Sequence, residues 1–119
     1  VISSGIMTMR ALEVAKVLEA DKVDVGVLHV PTIKPLDVAT ILREAGRSGR
    51  LVVVAENHTT IGGLGEAVAT ALLTAGVTPQ FRQIALPDAF LDAGALPTLH
   101  DRYGISTEVM SATIKNWLS

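Results

Sequence analysis

The chain has 119 residues, a formal net charge of −2, and a composition that is 49% hydrophobic but only 3% aromatic. This length predicts one domain. The weak charge and the few aromatic rings argue against nucleic acid as a partner. No apolar run approaches the roughly 20 residues needed to span a membrane. The absence of cysteine excludes disulfides, thiolate metal sites and a cysteine nucleophile, and it favours a cytoplasmic location.

The first part of the chain predicts a strand, a helix and a second strand. Val1–Ser3 have the character of a strand end, and Ser4–Gly5 predict the turn that follows. The next apolar residues recur on one face of a helix: Met7, Ala11, Val14, Ala15 and Leu18. A second strand is predicted over Val23–Val30, because Pro31 cannot donate a hydrogen bond to a central ladder.

The middle of the chain repeats this alternation. Asp37 is predicted to cap a second helix, which Gly46 and Gly49 end. A third strand over Leu51–Ala55 leads to a third helix with these apolar residues: Leu64, Val68, Ala71, Leu72 and Ala75. A fourth strand is predicted over Phe81–Leu86.

Two helices end the chain, a short one near Leu96–Tyr103 and a last one that begins after Ser106. The last helix is predicted to bury four residues: Met110, Ile114, Trp117 and Leu118. Strands that alternate with helical crossovers must be parallel, and each crossover is right-handed. We therefore predict an α/β fold, a three-layer doubly wound parallel sheet of four strands in the order 2-1-3-4. Its switch point lies between the first and third strands.

One stretch, LVVVAENHTTIGGLG over Leu51–Gly65, joins an apolar strand to a glycine-rich helix start. In an open α/β fold such a strand end faces the crevice where ligands or partner domains bind. Gly62, Gly63 and Gly65 could bring free N–H groups close to an anion, but their spacing matches neither G-x-G-x-x-G nor G-K-[ST]. We therefore favour tight packing of the helix against the strand, or against another subunit, over an anion site.

Glu56, Asn57 and His58 lie between the apolar strand and these glycines. Glu56 could orient the imidazole of His58, which titrates near neutral pH. No serine lies on a G-x-S-x-G elbow, so a nucleophilic triad is not supported. We favour a polar strand end that caps the next helix or lies at an interface over direct proton transfer.

The other polar residues predict no catalytic group. His29 is predicted to be hydrogen-bonded on its strand and His100 to lie on the surface, and no two histidines have the helical spacing of a zinc site. Three arginines are predicted to form a solvated helix face rather than a phosphate patch: Arg43, Arg47 and Arg50. Taken alone, the residues predict an α/β domain with a crevice for a ligand or a partner.

An ordered set of motifs resembles the C-terminal domain of transketolase-like, thiamine-diphosphate-dependent enzymes. The set is Thr32–Asp37, Glu56–His58 followed by Gly62–Gly65, and Leu86–Asp88 with Phe90 and Gly94. The resemblance covers essentially the whole chain and is nearest to bacterial transketolase small subunits. 1-deoxyxylulose-5-phosphate synthase and the β subunits of 2-oxoacid dehydrogenases are similar too. The family's pattern has a second glutamate where this chain has Asn57.

The resemblance implies that residues 1–119 are one domain of a longer protein, without the antiparallel edge strand that usually begins this domain. It implies a parent enzyme that transfers a two-carbon ketol unit between sugar phosphates. Thiamine diphosphate and magnesium would be held between two other domains at a dimer interface, so this domain would bind neither and supply no catalytic residue. It would support a homo-oligomer and frame the substrate channel, with these channel or interface candidates: Glu56, His58, Gly62, Gly63 and Gly65.

Alternatives stay open beside this hypothesis. One is the equivalent domain of 1-deoxyxylulose-5-phosphate synthase or of a 2-oxoacid dehydrogenase β subunit. A second is a self-standing regulatory module that binds an anion or nucleotide at Gly62–Gly65. A third is a purely structural domain that dimerises through Trp117 or through the glycine turn.

Overall fold

A computed structural model describes all residues from 1 to 119. The strands are β1 (Ile2–Ser3), β2 (Leu28–His29), β3 (Leu51–Thr59) and β4 (Gln80–Leu86). The helices are α1 (Ile6–Ala20), α2 (Val38–Ala45), α3 (Leu64–Thr74), α4 (Leu96–Arg102) and α5 (Thr107–Leu118). None of the helices is both long and apolar enough to cross a membrane.

The four strands form one sheet in the order β2-β1-β3-β4, and all pairs are parallel. Ile2 pairs with Leu28 on one side and with Val54 on the other, so β1 lies in the middle of the sheet. Consecutive strands are joined by helices, as parallel pairing requires. The predicted fold class and strand order are confirmed.

Successive side chains of β3 point to opposite faces of the sheet, and each face has its own buried core. Val52 and Val54 belong to the core with α2 and α3, which we call the α2/α3 core: Ile2, Val30, Ile41, Ala45, Val52, Val54, Leu64, Val68 and Leu72. Val53 and Ala55 belong to the α1/α5 core: Met7, Val14, Leu18, Val53, Ala55, Ile84, Ile105, Met110 and Ile114. The sheet thus separates two apolar layers, which is the three-layer arrangement that was predicted.

Two strands differ from the prediction by more than one residue. Strand β2 covers Leu28–His29 rather than Val23–Val30, because its ladder neighbour β1 is itself two residues long. Strand β3 continues past Ala55 to Thr59, because β4 goes on pairing with it after an irregularity in register. The polar residues Glu56–His58 therefore lie within β3 rather than after it.

The helix ends follow their predicted signals in most places. The carboxylate of Asp37 caps α2 by accepting a hydrogen bond of 3.1 Å from the Thr40 N–H. Hydrogen bonding by the side chain of Thr40, and then by its N–H, lowers the pKa of Asp37 below its usual value. Ser106 caps α5 through the N–H of Val109. Trp117 is half-buried against the α1/α5 core, but Leu118 is exposed rather than buried, because it lies in the last turn of the helix.

Candidate functional site

The candidate site is the corner at which β3 ends and α3 begins. Strand β3 neighbours the central strand β1, so the corner lies at the carboxyl edge of the sheet beside the switch point. Open α/β sheets bind ligands or neighbouring domains at this position. The structure brings together all five candidate residues there: Glu56, His58, Gly62, Gly63 and Gly65.

Glu56 caps the N-terminus of α3 from inside the protein. One carboxylate oxygen, Oε2, accepts a hydrogen bond of 2.7 Å from the Leu64 N–H, and Oε1 accepts one of 2.9 Å from the Gly65 N–H. The residue is only 2% exposed. The free N–H groups and the dipole of a helix start favour a negative charge, so the carboxylate is stabilised without a cationic partner. It occupies the place that a bound anion would take.

Two glycines let α3 approach the sheet this closely. A Cβ on Gly63 would lie 2.1 Å from Glu56 Oε2 and 2.9 Å from His58 Nδ1. A Cβ on Gly65 would lie 1.8 Å from Nε2 of Gln83, the β4 residue that faces the start of the helix. At these distances a side chain on Gly63 or Gly65 would have to displace Glu56 or Gln83. The geometry agrees with the favoured interpretation, in which the glycines serve tight packing of helix on strand.

Gly62 has a different role from the other two glycines. Its φ of +77° lies in the left-handed region, which glycine adopts without strain. Its N–H donates a hydrogen bond of 2.8 Å to Oε2 of Glu66, in the first turn of α3. A second carboxylate is therefore bound to the backbone of the same turn.

His58 is the exposed member of the corner. Its Nδ1 lies 3.0 Å from the carbonyl oxygen of Thr59. A carbonyl oxygen can only accept, so Nδ1 donates this hydrogen bond. Nε2 of His58 has no hydrogen-bond partner within the domain, whereas Glu56 is buried and has both oxygens engaged.

These residues do not fit the magnesium diphosphate of the family's cofactor. No group of three or more histidine, aspartate or glutamate side chains is arranged to hold a metal ion. The two N–H groups at the start of α3 that could bind a phosphate donate to Glu56 instead. We therefore derive no chemical step through that cofactor from this domain.

His29 lies in β2, as predicted, and it is hydrogen-bonded. Its Nδ1 is 2.8 Å from Oγ1 of Thr8, which is in turn 3.0 Å from Oγ of the buried Ser3. This chain of polar groups joins β2, α1 and β1 at the carboxyl edge of the sheet. It accounts for His29 as a structural residue.

His100 is buried, so its predicted position on the surface was wrong. The residue is 6% exposed, and Nη2 of Arg10 donates a hydrogen bond of 2.5 Å to its Nδ1. The second guanidinium nitrogen, Nη1, donates one of 2.6 Å to the carbonyl of Ile105. Burial lowers the pKa of His100, and the positive charge of Arg10 lowers it further. The prediction failed because Arg10 is 90 positions away, and the single sequence has no signal for so distant a pair.

The prediction of a solvated helix face holds for only part of the three arginines. Arg43 is exposed on α2, Arg47 is exposed just after the end of α2, and both pair with Glu44, at 3.2 and 3.0 Å. Arg50 is half-buried and lies outside the helix, so it does not belong to this face. The guanidinium of Arg82 lies 6.0 Å from the ring centre of Trp117. Neither pair forms a binding site.

Gln83 is a residue that the sequence analysis missed. Its side-chain nitrogen is buried beside Gly65 and has no hydrogen-bond partner. In the sequence it is one polar position within the alternating strand β4, so no pattern distinguishes it from a solvent-facing residue.

The sequence is similar to transketolases and to related enzymes. The family model for the transketolase C-terminal domain matches residues 1–110. A transketolase family protein of Sinorhizobium fredii is 71% identical over 119 residues, which are 99% of this chain and 34% of that protein. The 1-deoxy-D-xylulose-5-phosphate synthase of Syntrophotalea carbinolica is 32% identical over 118 residues, which are 99% of this chain and 18% of that enzyme. The 6-deoxy-6-sulfo-D-fructose transketolase subunit SqwH of a Clostridium species is 35% identical over 108 residues, which are 91% of this chain and 33% of that subunit.

The fold is similar to that of a solved split-gene transketolase, an inactive β4 tetramer. The TM-score is 0.83 at 34% identity, and the match covers 97% of this chain and 36% of that one. The chain thus spans about a third or less of the proteins that it matches. Since the family model matches nearly the whole chain, the chain belongs to the transketolase C-terminal domain family.

Proposed function

We propose that this chain is the C-terminal domain of a thiamine-diphosphate-dependent transketolase that transfers a two-carbon ketol unit between sugar phosphates. The observation that carries the proposal is the 71% identity, over the full domain, to a transketolase family protein almost three times as long. The subunit SqwH, itself named a transketolase subunit, supports the same reaction class. Within the enzyme, this domain supports the dimer and frames the substrate channel.

Each residue of the corner has a part in this role. Glu56 fixes the start of α3 to the sheet, and the imidazole of His58 lies close to Gly63. The free Nε2 of His58 points away from the hydrogen bond at Nδ1, so it is the group through which this domain would meet a substrate or a neighbouring domain. Thiamine diphosphate with magnesium, held by domains outside this chain, supplies the carbon–carbon bond chemistry.

The test is reconstitution of the whole enzyme. The parent protein is combined with any separate subunit that carries the rest of the thiamine-binding machinery, a need that the inactive β4 tetramer of the split-gene neighbour suggests. We expect transfer of a two-carbon unit from a ketose phosphate to an aldose phosphate, dependent on added thiamine diphosphate and magnesium. Residues 1–119 alone should be inactive. Failure of the reconstituted enzyme to transfer ketol units from any sugar phosphate donor would refute the proposal.

A second candidate is the equivalent domain of 1-deoxy-D-xylulose-5-phosphate synthase. It is favoured by the relatives of that name, which are 32% to 39% identical to this chain. The two candidates differ in product, so the same reconstituted enzyme is assayed for 1-deoxy-D-xylulose 5-phosphate. Formation of that compound without ketol transfer between sugar phosphates would favour the synthase.

The corner geometry argues against a self-standing anion-binding module. The carboxylate of Glu56 already binds the two N–H groups that would receive a phosphate. Calorimetric titration with inorganic phosphate, a nucleoside triphosphate and a sugar phosphate should therefore give no heat above the buffer control. A saturable heat that disappears when Gly63 is replaced by alanine would revive the module.

A further inference from the structure

The loop of residues 87–95, between β4 and α4, presents an aromatic ring to solvent. Phe90 is fully exposed, although the chain has only two phenylalanines and 3% aromatic residues. Leu91, the next residue in the chain, and Leu96, the first residue of α4, are exposed as well. Moving a large apolar side chain out of water lowers the free energy. Three exposed apolar side chains in one short segment are therefore typical of a binding surface.

Side chains of the domain bind the 87–95 loop, although the ring of Phe90 itself is exposed. Nη1 of Arg102 lies 2.6 Å from Oδ2 of Asp92, and the Asp92 N–H donates a hydrogen bond of 3.1 Å to the hydroxyl of Tyr103. Arg102, in α4, and Tyr103, at the end of α4, thus fix the loop at Asp92, two positions after Phe90. A loop that is ordered before binding loses less conformational entropy when a partner binds.

The one unpaired charge of the loop is acidic. The chain has no lysine or arginine between residues 83 and 101. Asp88 is exposed and has no hydrogen bond or ion pair, whereas Asp92 is paired with Arg102. A complementary partner would offer an apolar pocket with a basic group at its rim.

We propose that Phe90 is the anchor by which this domain binds the remainder of its parent transketolase chain. Relatives contain about twice as much additional polypeptide as this domain, so a large neighbour is available to cover the loop. All four strands are parallel, so the loop after β4 lies at the same edge of the sheet as His58. The inference rests on the proposed function only in treating this domain as part of a longer enzyme.

Photo-crosslinking of the full-length parent protein identifies what covers the ring. Phe90→p-benzoylphenylalanine keeps an aromatic group at the site and, on irradiation, bonds to whatever contacts it. The matched control places the same group at Leu73, which is 65% exposed on α3. We expect mass spectrometry to find the Phe90 cross-link in residues outside 1–119, at a yield at least several times that of the control.

Two results would overturn the proposal. One is a cross-link from Phe90 into residues 1–119 of a second copy, which would make the surface a contact between identical domains. The other is no cross-link above the Leu73 control. Neither result depends on cofactor or activity, so each leaves the proposed ketol transfer to be judged separately.

Hydrogen exchange gives an independent measurement. In the full-length protein, Phe90→Ser should reduce the protection of amides in the 87–95 loop by roughly tenfold or more, because aromatic anchors carry much of the binding energy of an interface. Phe90→Leu should reduce it less, and Leu73→Ser should leave it unchanged. Equal protection in Phe90→Ser and the unmodified protein would contradict the anchor role.

Discussion

At the scale of single residues, the corner depends on a carboxylate that is bound by backbone rather than by a cation. A polar strand end that caps α3 was one of the predicted alternatives, but the sequence does not assign the capping to Glu56. The assignment depends on β3 continuing to Thr59, which places Glu56 eight residues before the N–H of Leu64 yet in contact with it. Side-chain geometry of this kind has no signature in one sequence.

Glu56→Gln should destabilise the domain by about 2–3 kcal/mol. The amide has one acceptor oxygen, so one buried N–H at the start of α3 loses its partner, and the favourable charge at the helix start is lost. Urea unfolding followed by the fluorescence of the single tryptophan, Trp117, measures the change. Asn57→Ala, at an exposed position of the same strand, is the control and should change stability by less than about 0.5 kcal/mol. Equal effects of the two substitutions would show that the cap contributes nothing.

The contact of Arg10 with the buried His100 should make the domain sensitive to acid. The folded state lowers the pKa of His100, so the unfolded chain takes up the proton first, and stability is lost as pH falls below the unfolded value of about 6.5. Three carboxylates also line this cavity: Glu13, Asp101 and Glu108.

The measurement is unfolding free energy between pH 7.5 and pH 5. His100→Gln keeps an acceptor for Arg10 but cannot take up a proton, so its profile should be flatter than that of the unmodified domain. His29→Gln is the control, since His29 is exposed, and it should leave the slope unchanged. An unchanged slope in His100→Gln would rule out His100 as the acid-sensitive group.

At the scale of helices and strands, the sequence pattern predicted every element and the order of the elements. The predicted strand limits were wrong where pairing with a neighbouring strand determines them. Val23–Val30 has the composition of a strand, but only Leu28–His29 pair, because β1 offers two partners. The third strand was predicted to end at Ala55, before the polar residues. Hydrogen bonding to β4 extends it to Thr59, so the polar residues belong to the strand. Strand limits depend on the neighbouring strand, which local sequence does not describe.

Gly65→Ala should destabilise the contact between α3 and β4 by about 1–2 kcal/mol. The new methyl group would lie 1.8 Å from Nε2 and 2.7 Å from Cδ of Gln83, so the buried side chain must move, and this outweighs the gain in helix propensity. Gly94→Ala is the control, because its Cβ would meet only Leu99, at 3.7 Å. Thermal unfolding of Gly65→Ala, with and without Gln83→Ala, measures the clash. The double variant should recover part of the stability that Gly65→Ala loses. If it recovers none, the clash with Gln83 is not the cause of the loss.

At the scale of the whole molecule, the sheet divides the apolar interior into the α2/α3 core and the α1/α5 core. The strand order and the two layers of helices were predictable, because crossover connections and alternating side chains determine them. The contact between α1 and α5 was not predictable in detail. It joins Met7 and Val14 to Met110 and Ile114, far apart in the chain.

Substitutions in the two cores should act independently. Ile41→Val and Ile114→Val, one in each core, should each cost about 0.5–1.5 kcal/mol, and their effects should add within about 0.5 kcal/mol. Ile114→Val combined with Met110→Leu is the comparison, since these residues are one helical turn apart in the same core and are expected to couple. Urea unfolding of the single and double variants gives both coupling energies. Coupling across the sheet as large as that within one core would mean that the layers do not act separately.

The capping of α3 by Glu56 also bears on how the domain responds to solutes. A ligand that arrives from solution stabilises a protein by mass action, in proportion to the logarithm of its concentration. Here the ligand of the helix start is part of the same polypeptide, so its occupancy is set during folding and does not vary with metabolite supply. The melting temperature of this domain should therefore stay constant as phosphate or thiamine diphosphate is added at fixed ionic strength.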